Sequence, residues 1–105
     1  MAVEILEKGT KEWLEYDITD KLGTLASLVG TNPRYDVYNP QGALIVTQSA
    51  LTVNVMKAFA LIDTTNVNFV ANISALYVVY LQFDTGPESP YLFGGEFIVR
   101  PVPTF

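Results

Sequence analysis

Few residues in this chain can do chemistry. Histidine and cysteine are both absent, so no Ser–His or Cys–His nucleophile pair and none of the usual zinc sites can be assembled. Carboxylates remain. Cleaving a glycosidic bond takes two of them about 5–10 Å apart across a cleft, and the candidates are Asp17 with Asp20, or Glu88 with Glu96. All four fall at turns or strand ends, where acids ordinarily solubilise a fold, so no catalytic residue is expected. Calcium needs several oxygens from one flexible loop, and the EF-hand spacing is missing. Asp17, Thr19 and Asp20, or Asp63 with Thr64 and Thr65, present oxygens, but short polar side chains at such places usually bond their own backbone. The sequence therefore implies no metal and no cofactor. Gly94-Gly95 precedes a strand and reads as a bulge or tight bend, not a phosphate loop.

Binding is the chemistry left open, and charge narrows the partners. The net charge is −5, and the six basic residues are scattered along the chain. Nucleic-acid affinity comes largely from Lys and Arg neutralising phosphates, so nucleic acid is not an expected partner. An anionic membrane surface is excluded on the same ground. Aromatic side chains offer two alternatives. Trp13, Tyr38, Tyr80 and Tyr91 fall outward or near loops, where they suit either a carbohydrate platform or a protein contact, an apolar ring with a polar tip serving both. With one Trp in the chain and no evident planar array, protein contact is the stronger reading.

The elements that must hold these residues read as strands throughout. One domain of 105 residues, half of them apolar, fits the usual size of a single core, with a loose proline-containing tail at 101–105. Strands are expected at Val3–Lys8, at Glu12–Ile18 with Leu14, Tyr16 and Ile18 inward, and at Arg34–Asn39 with Tyr35 and Val37 opposite Asp36 and Tyr38. Pro40-Gln41-Gly42 turns the chain into Ala43–Gln48. A longer strand is expected over Leu51–Ile62, then a polar turn at Asp63–Asn66 and a short extended piece at Val67–Val70. Leu76–Asp84 alternates most cleanly, with Tyr77, Val79, Leu81 and Phe83 on one face. The last strand begins at Phe93 or Glu96 and runs to Arg100, with Phe97 and Val99 inward. Leu22, Leu25, Leu28 and Val29 have near-helical spacing and allow at most one short helical turn. The fold class is thus all-β: an antiparallel two-sheet β-sandwich of about seven strands, spaced like an immunoglobulin-type domain but without its cysteines.

Charge is distributed unevenly over that frame. The first twenty residues hold six of the eleven acids, as an edge strand that resists aggregation would, whereas between Asp36 and Asp84 only Lys57 and Asp63 are charged. A strand with one face in water should alternate apolar with polar. Two explanations fit the gap: central strands whose outer faces are mildly apolar or covered by the Leu22–Val29 segment, or outer faces buried on a neighbouring polypeptide, since interface cores are depleted in charge.

Three phrases add to this: Trp13-Leu14-Glu15-Tyr16-Asp17-Ile18-Thr19-Asp20, Pro33-Arg34-Tyr35-Asp36-Val37-Tyr38, and Phe83-Asp84-Thr85-Gly86-Pro87-Glu88-Ser89-Pro90. Together the chain resembles, over roughly residues 12 to 100, the small Ig-like structural proteins of tailed-bacteriophage virions: head-decoration, connector and baseplate components. The resemblance implies a non-catalytic protein of the virion, assembled in the host cytoplasm, whose partners are other virion proteins and copies of itself. The expected interface residues are Trp13, Tyr38, Met56, Phe59 and Tyr80, with Pro87, Pro90 and Tyr91 from the proline-bounded loop. A carbohydrate-binding or adhesin module is the alternative.

Overall fold

The computed structural model describes residues 3–18, 26–85, 87 and 89–101, and all regular structure among them is β. Eight strands form: β1 (Glu4–Glu7), β2 (Lys11–Asp17), β3 (Arg34–Tyr38), β4 (Leu44–Ala50), β5 (Thr52–Asn54), β6 (Lys57–Asp63), β7 (Asn72–Gln82) and β8 (Tyr91–Arg100). They make a five-stranded sheet in the order β1-β8-β7-β3-β4 and a three-stranded sheet in the order β2-β6-β5.

The two inner faces supply one core. Leu6, Tyr35, Val37, Tyr77, Val79, Leu81, Phe97 and Val99 come from the larger sheet, and Leu14, Ala58, Ala60 and Ile62 from the smaller. The alternation expected for β2, β3, β7 and β8 is the alternation observed, because a period of two leaves a half-buried strand one apolar set to turn inward. The strand order is that of an immunoglobulin-type sandwich: β2, β6 and β5 stand where such domains have B, E and D, and β3, β7 and β8 where they have C, F and G. Tyr77 completes the likeness. Its hydroxyl accepts the Val70 N–H at 2.7 Å, as the tyrosine at the start of strand F does in that fold, and two residues on, where antibody domains carry a cysteine, Val79 is fully buried.

Four details depart from the expectation. All ladders but one are antiparallel; β1 runs parallel to β8, Glu4 opposite Phe97. The single strand expected over Leu51–Ile62 is two strands, with Thr52 to Asn54 pairing back on Lys57 to Phe59 around a Val55-Met56 turn. Val53 sits opposite Ala58, so the turn inverts the face parity. Leu51 and Val53 point inward before it, while Ala58, Ala60 and Ile62 do so after it, leaving Phe59 and Leu61 outside. Val55 makes the turn at φ 55°, costly for a β-branched residue. Two backbone bonds dock the turn and offset that cost: Ile18 N–H to Met56 O at 2.9 Å and Leu28 N–H to Val55 O at 2.7 Å. Residues 67–69 form turn and bend where an extended piece over Val67–Val70 is expected, and β8 starts at Tyr91.

The helical turn considered within 17–30 falls mostly on residues 19–25, outside the described ones, as does the tail beyond Pro101. Gly94-Gly95 forms a bulge: Val79 pairs with Gly95 but Tyr80 with Phe93, and Gly95 takes φ 146°. A Cβ on Gly94 would lie 3.1 Å from Val79 O and 3.2 Å from the Tyr16 ring. The bulge therefore needs glycine for both conformation and space. It also keeps Tyr91 and Phe93 on the outer face while Phe97 and Val99 turn inward.

Candidate interaction surface

Cross-strand register assembles the site. On β3, β7 and β8, Asp36 is opposite Tyr80, Tyr80 opposite Phe93, and Gln82 opposite Tyr91. These side chains therefore share the outer face of the five-stranded sheet. Tyr80 is the centre of an aromatic cluster. Its ring stacks on Tyr91 at 5.0 Å between centroids with the planes 9° apart, and it meets Tyr38 edge-on at 5.7 Å and Phe93 at 5.8 Å. Beside the cluster lies an open groove of about 640 Å³, lined by Tyr38, Asn39, Pro40, Gly42, Leu76, Val78, Tyr80 and Tyr91. No lining residue is charged. Around it Ile5, Leu44, Leu76, Tyr91 and Phe93 are all exposed.

A buried acid braces the cluster from below. Asp36 is only 6% exposed; its carboxylate accepts the Tyr91 hydroxyl at 2.6 Å and the Gln48 N–H at 2.7 Å. Gln48 reaches that position through a left-handed backbone, φ 52°, where β4 loses register with β3. Burial, then the bond to Asp36, pushes the Tyr91 hydroxyl well above the ordinary tyrosine value, so its proton stays on and is committed to Asp36. Tyr38 Oη lies 3.4 Å from Tyr91 Oη and borders the groove. Asn39 Oδ1 is already occupied by the N–H groups of Gln41 and Ala43 at 3.0 and 2.8 Å, which fix the Pro40–Gly42 turn forming the groove's rim. At the end of the sheet Arg34 bonds Gln48, Asn32 and Asp84. Ser89 first and Arg34 second hold the Asp84 carboxyl below its usual range.

The opposite outer face, on the three-stranded sheet, is smaller. Trp13 lies opposite Leu61 and Glu15 opposite Phe59, with Thr52 next to Phe59. Trp13, Thr52 and Phe59 border a shallow depression, and the indole is 57% exposed. Lys57 Nζ stands 3.7 Å from Glu15 Oε1.

The sequence-derived residues thus divide. Tyr38, Tyr80 and Tyr91 come together on the larger sheet with half-buried Pro90 at the start of β8; Trp13 and Phe59 come together on the smaller; half-buried Met56 sits in the β5–β6 turn, apart from both. Pro87 is exposed in the loop before β8. Asp20 and Glu88, each one half of a carboxylate pair, lie outside the described residues. Among the described residues no three acids converge as a metal site would require. Asp63 bonds the Thr65 N–H at 3.0 Å, which is turn capping. No family model, no curated protein and no solved structure matches the chain.

Asp36, Leu76, Val78 and Phe93 belong to this surface and were not singled out beforehand. Parity alone would have found Phe93, Leu76 and Val78, which share the face of Tyr80 or Tyr91. Asp36 left a weaker trace: an acid between two inward residues, Tyr35 and Val37, in a strand central enough to be buried on both sides.

Proposed function

We propose that this chain is a non-catalytic structural component of a tailed-bacteriophage particle, as capsid decoration, head–tail connector or tail protein, acting by packing its outer sheet faces against neighbouring subunits. The observation that carries the reading is the uncharged, aromatic-lined groove on the outer face of the five-stranded sheet. Its rings are held in place by one another and by Asp36, so ordering them on contact costs little side-chain entropy. Tyrosine-rich, charge-poor and rigid is the composition of an interface core. The resemblance over residues 12–100 and the immunoglobulin-type frame agree with it.

The carbohydrate reading has a specific observation against it. A sugar platform presents ring faces to the ligand, whereas Tyr80 and Tyr91 each turn one face to the other and the Tyr91 hydroxyl is taken up by Asp36.

Mass spectrometry of particles released by cells carrying the gene tests the assignment. The chain is expected in the purified particles at a stoichiometric copy number. Particles complete without it, together with glycan-array binding lost on Tyr91→Ala, would replace this reading with the carbohydrate one.

A further inference from the structure

The smaller sheet is one strand short of its type. Immunoglobulin-type domains of the constant kind carry a sheet of strands A, B, E and D, and here β2, β6 and β5 fill B, E and D. Beside β2, in the place of A, no described strand lies; β1 belongs to the other sheet, where it pairs with β8. The edge left open is regular. β2 pairs with β6 from Lys11 to Asp17 with no shift of register. Bonds at the two ends of this ladder fix which backbone groups face outward. The Thr64 N–H donates to Thr10 O and the Ile18 N–H to Met56 O, both at 2.9 Å, so Thr10, Glu12, Leu14, Tyr16 and Ile18 turn their backbone groups toward β6. Lys11, Trp13 and Glu15 turn theirs to the open side, at a repeat of about 6.8 Å. Another extended chain matches that row.

Charge says which chain. Beside this strand, toward the larger sheet, is a cleft of about 110 Å³ whose lining includes Glu4, Glu15, Tyr16 and Glu96. Among the described residues Glu4 and Glu96 have no ion-pair partner, and Glu15 meets Lys57 at 3.7 Å. Glu12, also on β2, has its Oε2 buried with no hydrogen bond. Lys11, at the start of the strand, lies opposite Asp63. Acids along an edge repel most strands, and the same charges select a basic one.

We propose that the open edge of β2 takes up an extended, lysine- or arginine-bearing segment of a neighbouring protein as the fourth strand of the smaller sheet. Main-chain bonds to Lys11, Trp13 and Glu15 supply the pairing, and Glu4, Glu15 and Glu96 supply the choice of sequence. Alternate residues of the segment lie beside Trp13, whose ring is 57% exposed and suits the stem and head of a basic side chain. The residues between them face the acidic cleft. A second copy of this chain is a poor donor: it carries −5 and its six basic residues are scattered. The edge is separate from the tyrosine face, so the two contacts can fail independently.

The probe is a synthetic peptide alternating lysine with valine, added to the full chain at low salt. It is expected to bind and to slow hydrogen exchange at the Trp13 and Glu15 amides by about tenfold or more at saturation. Two control peptides separate charge from pairing: glutamate in place of lysine, and the lysine peptide N-methylated at alternate residues so that it cannot donate along one edge. Both are expected not to bind. Glu4→Lys combined with Glu96→Lys, its fold checked by circular dichroism, should weaken the lysine peptide about tenfold and admit the glutamate one. The inference is overturned if the lysine peptide fails to bind at about millimolar concentration, or binds without protecting those two amides. Equal binding of either control peptide to the wild type also overturns it, whether or not the double variant folds. None of these outcomes touches the particle measurement, on which the assembly reading stands.

Discussion

The two outer faces of this sandwich both carry aromatic side chains, four on the larger sheet and two on the smaller, and use them differently. On the five-stranded sheet, four rings lean on one another and the cluster is tied through Tyr91 to a buried carboxylate. On the three-stranded sheet, Trp13 projects into solvent beside Leu61 and a surface ion pair. The first arrangement is part of the fold; the second is only attached to it. Rings fixed against one another give a surface a defined shape, whereas an exposed ring that packs on little contributes hardly at all to stability. One face therefore contributes to the stability of the fold, and the other adds little to it.

Breaking the brace should give the largest effect. Asp36→Ala takes the acceptor from the Tyr91 hydroxyl and the Gln48 N–H, two part-buried bonds, and is expected to cost about 3 kcal/mol in urea denaturation, given roughly 1–3 kcal/mol for each group left unpaired. Trp13→Ala on the other face should change stability by no more than about 0.5 kcal/mol. Equal losses at the two positions would erase the distinction drawn here.

A step smaller, Gly94→Ala drives a methyl into Val79 O and the Tyr16 ring. It should cost about 2 kcal/mol, within the usual range for overpacking, and should perturb Phe93 and Tyr91 resonances while leaving those of Trp13 in place. Smaller again, and opposite in sign, Val55→Asn should stabilise by about 1 kcal/mol, since asparagine tolerates the left-handed backbone that valine resists. Thermal unfolding would read the gain.

An alkaline titration sharpens the comparison without any mutation. The folded pKa values of Tyr91 and Tyr16 are raised, chiefly by burial. Their contribution to stability is therefore complete below the ordinary tyrosine value of about 10 and is lost as pH rises from there toward the folded values. Tyrosinate absorbance should show these two rings ionising together with unfolding, and Tyr91→Phe should remove one of them from the cooperative step.

How far the sequence revealed this depends on how local each signal was. β7 and β2 were legible because strict alternation over seven or more residues allows only one inward set, and the Gly94 bulge because paired glycines before a strand have few other uses. The β5–β6 hairpin was hidden: its turn is Val55-Met56, with none of the Gly, Asn or Pro that announces one, and it is held by backbone bonds from Ile18 and Leu28, far off in the chain. Because of that turn Phe59 and Leu61 face outward although Leu51 and Val53 face inward. The parallel seating of β1 on β8 pairs residues more than ninety positions apart, beyond what periodicity conveys. Asp36 was noticed only as an outward acid because its partner Tyr91 is 55 residues away. Most of the uncharged groove lining, Tyr38 to Gly42 and Leu76 to Tyr80, falls within the stretch poor in charge between Asp36 and Asp84, but nothing local in the sequence showed the groove.

The most direct test of the central claim, that the aromatic face of the five-stranded sheet is a contact between protein chains, is tyrosine accessibility before and after assembly. Brief hydroxyl-radical footprinting of the isolated chain should oxidise the exposed ring of Tyr91, and the same treatment of the assembled protein should leave Tyr91 unmodified. Equal labelling of Tyr91 in both states would show that face open to water in the working assembly and would contradict the account.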